Sequence, residues 1–151
     1  MTLTVGPRAR ALIEHFEGCV LHAYLDSGGI PTIGYGATGT DVRMGMTWTL
    51  AQADARLATD LVRFAAFVAP MLGDAPTTPA QFGAFVSAAY NAGPGNLAKS
   101  PMLAAHKAGD TLTAAASWLN WHVRDHAGNK LVGLQNRRDA EARLYSTGDW
   151  E

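Results

Sequence analysis

The stretch HFEGCVLHAYLDSGGIPTIGYGAT, residues 15–38, decides how the chain is read. A helix ends within it and a small hairpin begins. Upstream, Pro7 suits a first helical turn, and Leu12, Ile13 and Phe16 fall on one face, so a helix is expected from Pro7 to Phe16. Gly18 then offers a left-handed stop. His22–Leu25 has strand composition, Asp26-Ser27-Gly28-Gly29 is turn chemistry, and Pro31–Tyr35 can return antiparallel. The glycines at 34, 36, 39 and 45 make the following segment rich in loops.

Working outward, the pattern becomes helical. Thr49-Leu50-Ala51-Gln52 is a capping-box sequence, followed by Leu50, Leu57, Leu61, Phe64 and Val68 at helical spacing. Pro70 is expected to end that helix. Thr78-Pro79-Ala80-Gln81 repeats the start signal, with Phe82, Phe85, Val86 and Ala89 as the apolar face, and Asn91–Gly95 breaks it. Further helices are expected over Pro101–Ala108, Thr111–Asn120 and Gln135–Tyr145. No repeat at solenoid spacing is visible. The expected fold class is α+β, mostly helical, with one β-hairpin near the N-terminus.

Bulk properties narrow the function classes. The 151 residues are 48% hydrophobic and 17% charged, as in a folded domain rather than a disordered chain. A net charge of −1 gives no basic field for nucleic acid, so no nucleic-acid partner is expected. The single cysteine, Cys19, excludes an internal disulfide. The first residues lack the apolar run of a signal peptide or membrane anchor. The five histidines show no ligand spacing, so neither a metal nor another cofactor is expected.

The residues that carry chemistry are Glu17, Asp26 and Thr32. Each has an ordinary reading: a helix-end glutamate, a turn aspartate, a strand threonine. Together, two carboxylates and a hydroxyl on a chain that doubles back suit glycosidic hydrolysis. One carboxyl must be protonated to donate to the leaving oxygen; the other, ionised, acts on water or on the sugar cation. The negative end of the first helix disfavours ionisation at Glu17, which suits the acid role. Asp26 lies on a solvated turn. If Ile33 and Tyr35 point to the core, alternation turns Thr32 the other way, where its hydroxyl can hold a water.

The spacing of Glu17, Asp26 and Thr32, within F-E-G, A-Y-x-D and T-I-G-Y-G-x-T, closely resembles the signature of the phage-type lysozymes, the muramidases of glycoside hydrolase family 24. Ser87–Gly93 is similar to that family's F-x-x-N-x-G segment, and Lys130–Glu141 to its G-L-x-x-R-R-x-x-E tail. The resemblance covers nearly the whole chain. It implies one lysozyme domain over residues 1–151, with a small hairpin-bearing lobe, a larger helical lobe, and a cleft between them. The helix from Thr49 to about Ala69 is then the connection.

The implied activity is that of an endolysin, cleaving the β-1,4 bond between N-acetylmuramic acid and N-acetylglucosamine in peptidoglycan. Glu17 is the implied acid; Asp26 and Thr32 position the water or stabilise the cation, an alternative that the sequence leaves open. The resemblance also brings in Arg137 as a cation near the acid and Asn91 as cleft support, while Tyr24 and Tyr35 can contact sugar. A chain without an export signal needs a membrane lesion made by a holin, and a monomer is expected. Ala37 departs from the family, which often has His there, and Cys19 reads as a small buried apolar residue. Two other classes remain: a wall-binding domain without turnover, and a lytic transglycosylase that leaves anhydro ends.

Overall fold

Two compact units organise the chain in the computed structural model, which describes residues 2–151. One unit is Glu14–Arg63; the other comprises Met1–Ile13 with Phe64–Glu151. The chain order is α1 (Pro7–Glu17), β1 (Val20–Leu25), β2 (Pro31–Gly34), α2 (Leu50–Leu72), α3 (Pro79–Ala92), α4 (Pro94–Ala98), α5 (Pro101–Lys107), α6 (Thr111–Trp118) and α7 (Val132–Thr147). The α+β class, mostly helical, is as expected.

The Glu14–Arg63 unit holds the hairpin. β1 and β2 pair antiparallel, with Tyr24 opposite Thr32, Leu25 opposite Pro31, and an irregularity between Val20 and Tyr24. Alternation fails on β2: Thr32, Ile33 and Gly34 are all buried. The reason is local, because Gly34 adopts φ +67 and packs under Trp48, so the strand ends in a left-handed turn. Thr32 therefore does not face away from the core as strand periodicity suggests. Helix α2 begins with the expected capping box, Thr49 accepting from the Gln52 amide and Gln52 from the Thr49 amide. Leu57, Leu61 and Val68 form its buried stripe, whereas Leu50 is exposed.

Pro70 does not end α2, which continues to Leu72. A proline so near the end of a helix removes a single amide from the ladder, and Gly73 at φ +56 supplies the actual stop. The predicted break at residues 91–95 is also too long: only Gly93 interrupts the helices, and Pro94 opens the short helix α4. Helix α7 starts three residues before the expected Gln135.

In the other unit, α3 is buried on every side from Phe82 to Ala89. Its capping box at Thr78 and Gln81 forms as predicted. A Cβ on Gly83 would meet the Ala9 Cβ at 2.4 Å, so glycine there permits close approach of α1 and α3. Phe85, Trp118 and Tyr145 stack with centroids 4.9–5.7 Å apart. Each such pair contributes roughly 0.5–1.5 kcal/mol beyond the area it buries.

Candidate active site

The T-I-G-Y-G-A-T segment is a closed loop built on two left-handed glycines. Ile33 and Ala37 exchange both backbone hydrogen bonds, at 3.0 and 2.8 Å, and the chain between them passes through Gly34 at φ +67 and Gly36 at φ +78. Glu17, the last residue of α1 and half-buried, lays its carboxylate against this loop. A Cβ on Gly36 would lie 2.8 Å from Glu17 Oε1 and 3.6 Å from its Cδ. The glycine is what leaves room for the acid.

Asp26 and Thr32 are joined through a single residue, Ile30. Asp26 Oδ1 accepts from the amides of Gly28 at 2.8 Å and Ile30 at 2.9 Å. The Asp26 amide donates back to the Ile30 carbonyl at 3.0 Å, and the Thr32 hydroxyl donates to that same carbonyl at 2.9 Å. One oxygen of Asp26 is thus committed to the turn, and Oδ2 accepts nothing among the described residues. With its proton on Ile30, the Thr32 oxygen can meet a ligand only as an acceptor.

Tyr35 is half-buried, and its hydroxyl donates to Asp54 Oδ1 on α2 at 3.1 Å. Burial, and then the Asp54 carboxylate, push the phenol up to about 12. Cys19 is exposed, contrary to its expected burial, because β1 is largely solvent-facing at its start. Desolvation, opposed by the Tyr35 hydroxyl, raises its thiol above the ordinary range. Tyr24 is also partly exposed on β1. Ala37, where a histidine was the family expectation, is buried within the loop.

Arg137 belongs to a buried network in the other unit, and the exposed Asn91 joins it at its edge through Arg138. Glu141 is fully buried and accepts from Ser87 Oγ at 2.5 Å, Trp118 Nε1 at 3.1 Å, Arg137 Nε at 3.3 Å and Arg138. Arg137 also donates to the Ser87 carbonyl, and Arg138 to Asn91 Oδ1. The R-R-x-x-E tail therefore ties α3, α6 and α7 together. Sequence reasoning missed Ser87 and Trp118, neutral residues whose roles depend on a glutamate far along the chain. It also missed Asp54, which carries no motif. Among the described residues, no three His, Cys, Asp or Glu side chains form a group able to hold a metal ion.

The chain is similar to known proteins over most of its length. Residues 14–141 match the family model described as phage lysozyme. The chain is 37% identical over 142 residues to the endolysin of Bacillus phage PZA, covering 91% of this chain and 53% of that protein. It is 36% identical to the SAR-endolysin of Bacteriophage PS119, covering 92% and 80% respectively. A solved endolysin from Escherichia coli O157:H7 phage FAHEc1 superposes with a TM-score of 0.88 at 37% identity, over 98% of this chain and 96% of that one. The chain spans about half the length of the Bacillus phage endolysins it matches. With the family model matching from the end of α1 to Glu141 in α7, the chain belongs to the phage lysozyme family.

Proposed function

We propose that this chain is a muramidase, hydrolysing the β-1,4 bond between N-acetylmuramic acid and N-acetylglucosamine in bacterial peptidoglycan. Glu17 is the general acid that protonates the leaving glycosidic oxygen. Asp26 and Thr32 hold the attacking water. The observation that carries the reading is a single hairpin segment that ties Asp26 to Thr32 through Ile30 and, past Ile33, seats the Glu17 carboxylate on Gly36.

The chemistry follows from which atoms are committed. A water that donates one proton to Asp26 Oδ2 and the other to Thr32 Oγ1 turns a lone pair outward as a nucleophile. The same ionised Asp26 opposes the positive charge that develops on the sugar ring in an oxocarbenium-like transition state. Glu17 needs its proton in the ground state and gives it up as the bond breaks. Arg137 and Asn91 serve this reaction as supporting residues.

Relatives named endolysins and SAR-endolysins direct the activity to the bacterial wall. Among the described residues no helix is long and apolar enough to cross a membrane. The proposal is that a holin-type lesion lets the enzyme reach its substrate, where it works as a monomer. Purified protein should clear a peptidoglycan suspension and release hydrated reducing ends. Anhydro ends indicate a transglycosylase, and binding without new ends indicates a wall-binding domain; either overturns the reading.

A further inference from the structure

The loop that seats Glu17 is itself laid along α2. Gly34 lies under Trp48, where a Cβ would meet the ring at 3.0 Å and Ala53 Cβ at 3.5 Å. Arg56 on α2 donates to the Thr38 carbonyl at 2.7 Å and to Asp41 at 2.7 Å, and pairs with Asp60. These ties fix the two ends of the loop. Between them, the Tyr35–Asp54 hydrogen bond holds the residue that adjoins Gly36.

Asp54 lies on α2 and Tyr35 in the loop, so their hydrogen bond fastens the loop to α2 directly beside the glycine that seats the carboxyl of Glu17. An acceptor as strong as a carboxylate makes the phenol bond charge-assisted.

We propose that Asp54 and Tyr35 act as one positioning unit for Glu17: their hydrogen bond holds the Gly36 loop in the register that aims the acid at the leaving oxygen. The inference rests on Glu17 being the acid. Neither residue touches the reacting atoms. Their effect is on how often Glu17 is aligned, and so on the chemical step more than on substrate affinity.

The test is a variant series measured for kcat and KM on soluble peptidoglycan fragments, with thermal stability and the carboxyl 13C resonance of Glu17 alongside. Tyr35→Phe breaks this bond and should lower kcat about tenfold while leaving KM within about twofold. Asp54→Ala should match it, and the double variant should be no worse than either single one. Asp54→Asn keeps an acceptor carbonyl, so it should stay near wild-type kcat. The Glu17 resonance should move in Tyr35→Phe and Asp54→Ala but not in Asp54→Asn.

Wild-type kcat in Tyr35→Phe, equal damage from Asp54→Asn and Asp54→Ala, or losses that appear only in KM overturn the proposal. A rate loss that merely follows falling thermal stability does so too. If the wild-type protein releases no reducing ends, the muramidase reading fails instead. The Glu17 resonance then still decides whether the Tyr35–Asp54 pair positions that side chain: a resonance unchanged in Tyr35→Phe overturns it.

Discussion

The carboxylate of Glu17 occupies the space that a side chain on Gly36 would need, with Oε1 only 2.8 Å from the position of a Cβ there. Gly36 is also held at φ +78, where a side chain adds backbone strain. The two effects act together, so Gly36→Ala should cost about 1–3 kcal/mol in stability and lower the lytic rate at least about tenfold. Thermal denaturation and a turbidity assay on the purified variant read both. Wild-type lysis in a folded Gly36→Ala protein contradicts the seating of Glu17 on this glycine.

Asp26 has one oxygen committed to the turn and, on the proposed mechanism, one left for chemistry, and substitutions can separate them. Asn in its place keeps an Oδ1 that accepts from Gly28 and Ile30 but carries no charge. Asp26→Asn should change stability by less than about 0.5 kcal/mol, yet lower the rate about 100-fold. Asp26→Ala should lose the turn bonds as well, at about 1 kcal/mol each. If the Asn variant lyses at full rate, Asp26 is turn chemistry alone.

Glu141 is fully buried between Arg137, Arg138, Ser87 and Trp118. Removing it leaves buried guanidinium groups without their main counter-charge. Glu141→Ala should therefore cost about 3–5 kcal/mol, while Ser87→Ala should cost about 1–3 kcal/mol. Urea unfolding distinguishes the two. A Glu141→Ala protein as stable as wild type means the network adds little to the fold.

His106 makes stability depend on pH. It is buried, with Nε2 2.8 Å from Thr77 Oγ1 and Nδ1 2.7 Å from the Tyr145 hydroxyl. Thr77 gives its own proton to the Ala75 carbonyl, so the neutral Nε2–H ring satisfies both neighbours. Burial holds the imidazole below its ordinary value of 6.5. The unfolded chain then binds the proton more readily than the folded one as pH falls through 6.5. Stability is fully present above that pH and declines below it, by at most about 1.4 kcal/mol per pH unit, until the folded value is reached. Melting temperature should drop between pH 7.5 and 5.5, and His106→Gln should flatten that slope. An equal slope in the variant assigns the effect to other groups.

Much of this was readable from local sequence because its causes are local. Thr78 and Gln81 cap α3 through residues three apart, and Asp26 makes its turn through residues two and four apart, so both patterns lie in the string itself. The burial of Thr32 was not readable, because strand periodicity assumes that the strand continues. Here Gly34 turns it under Trp48. Nor could Tyr35 and Asp54 be grouped beforehand, since they lie on different elements and share no motif. Pro70 misled for a related reason: a proline stops a helix only where the lost amide matters, and here the next turn is already the last.

The most direct measurement is muropeptide product analysis by mass spectrometry for wild-type and Glu17→Gln proteins, each shown to be folded. Hydrated reducing ends at N-acetylmuramic acid are expected from the wild type, and essentially none from Glu17→Gln, at unchanged melting temperature. Release of the same products by Glu17→Gln at the wild-type rate, or anhydro ends from the wild type, would contradict Glu17 as the acid of a hydrolytic muramidase.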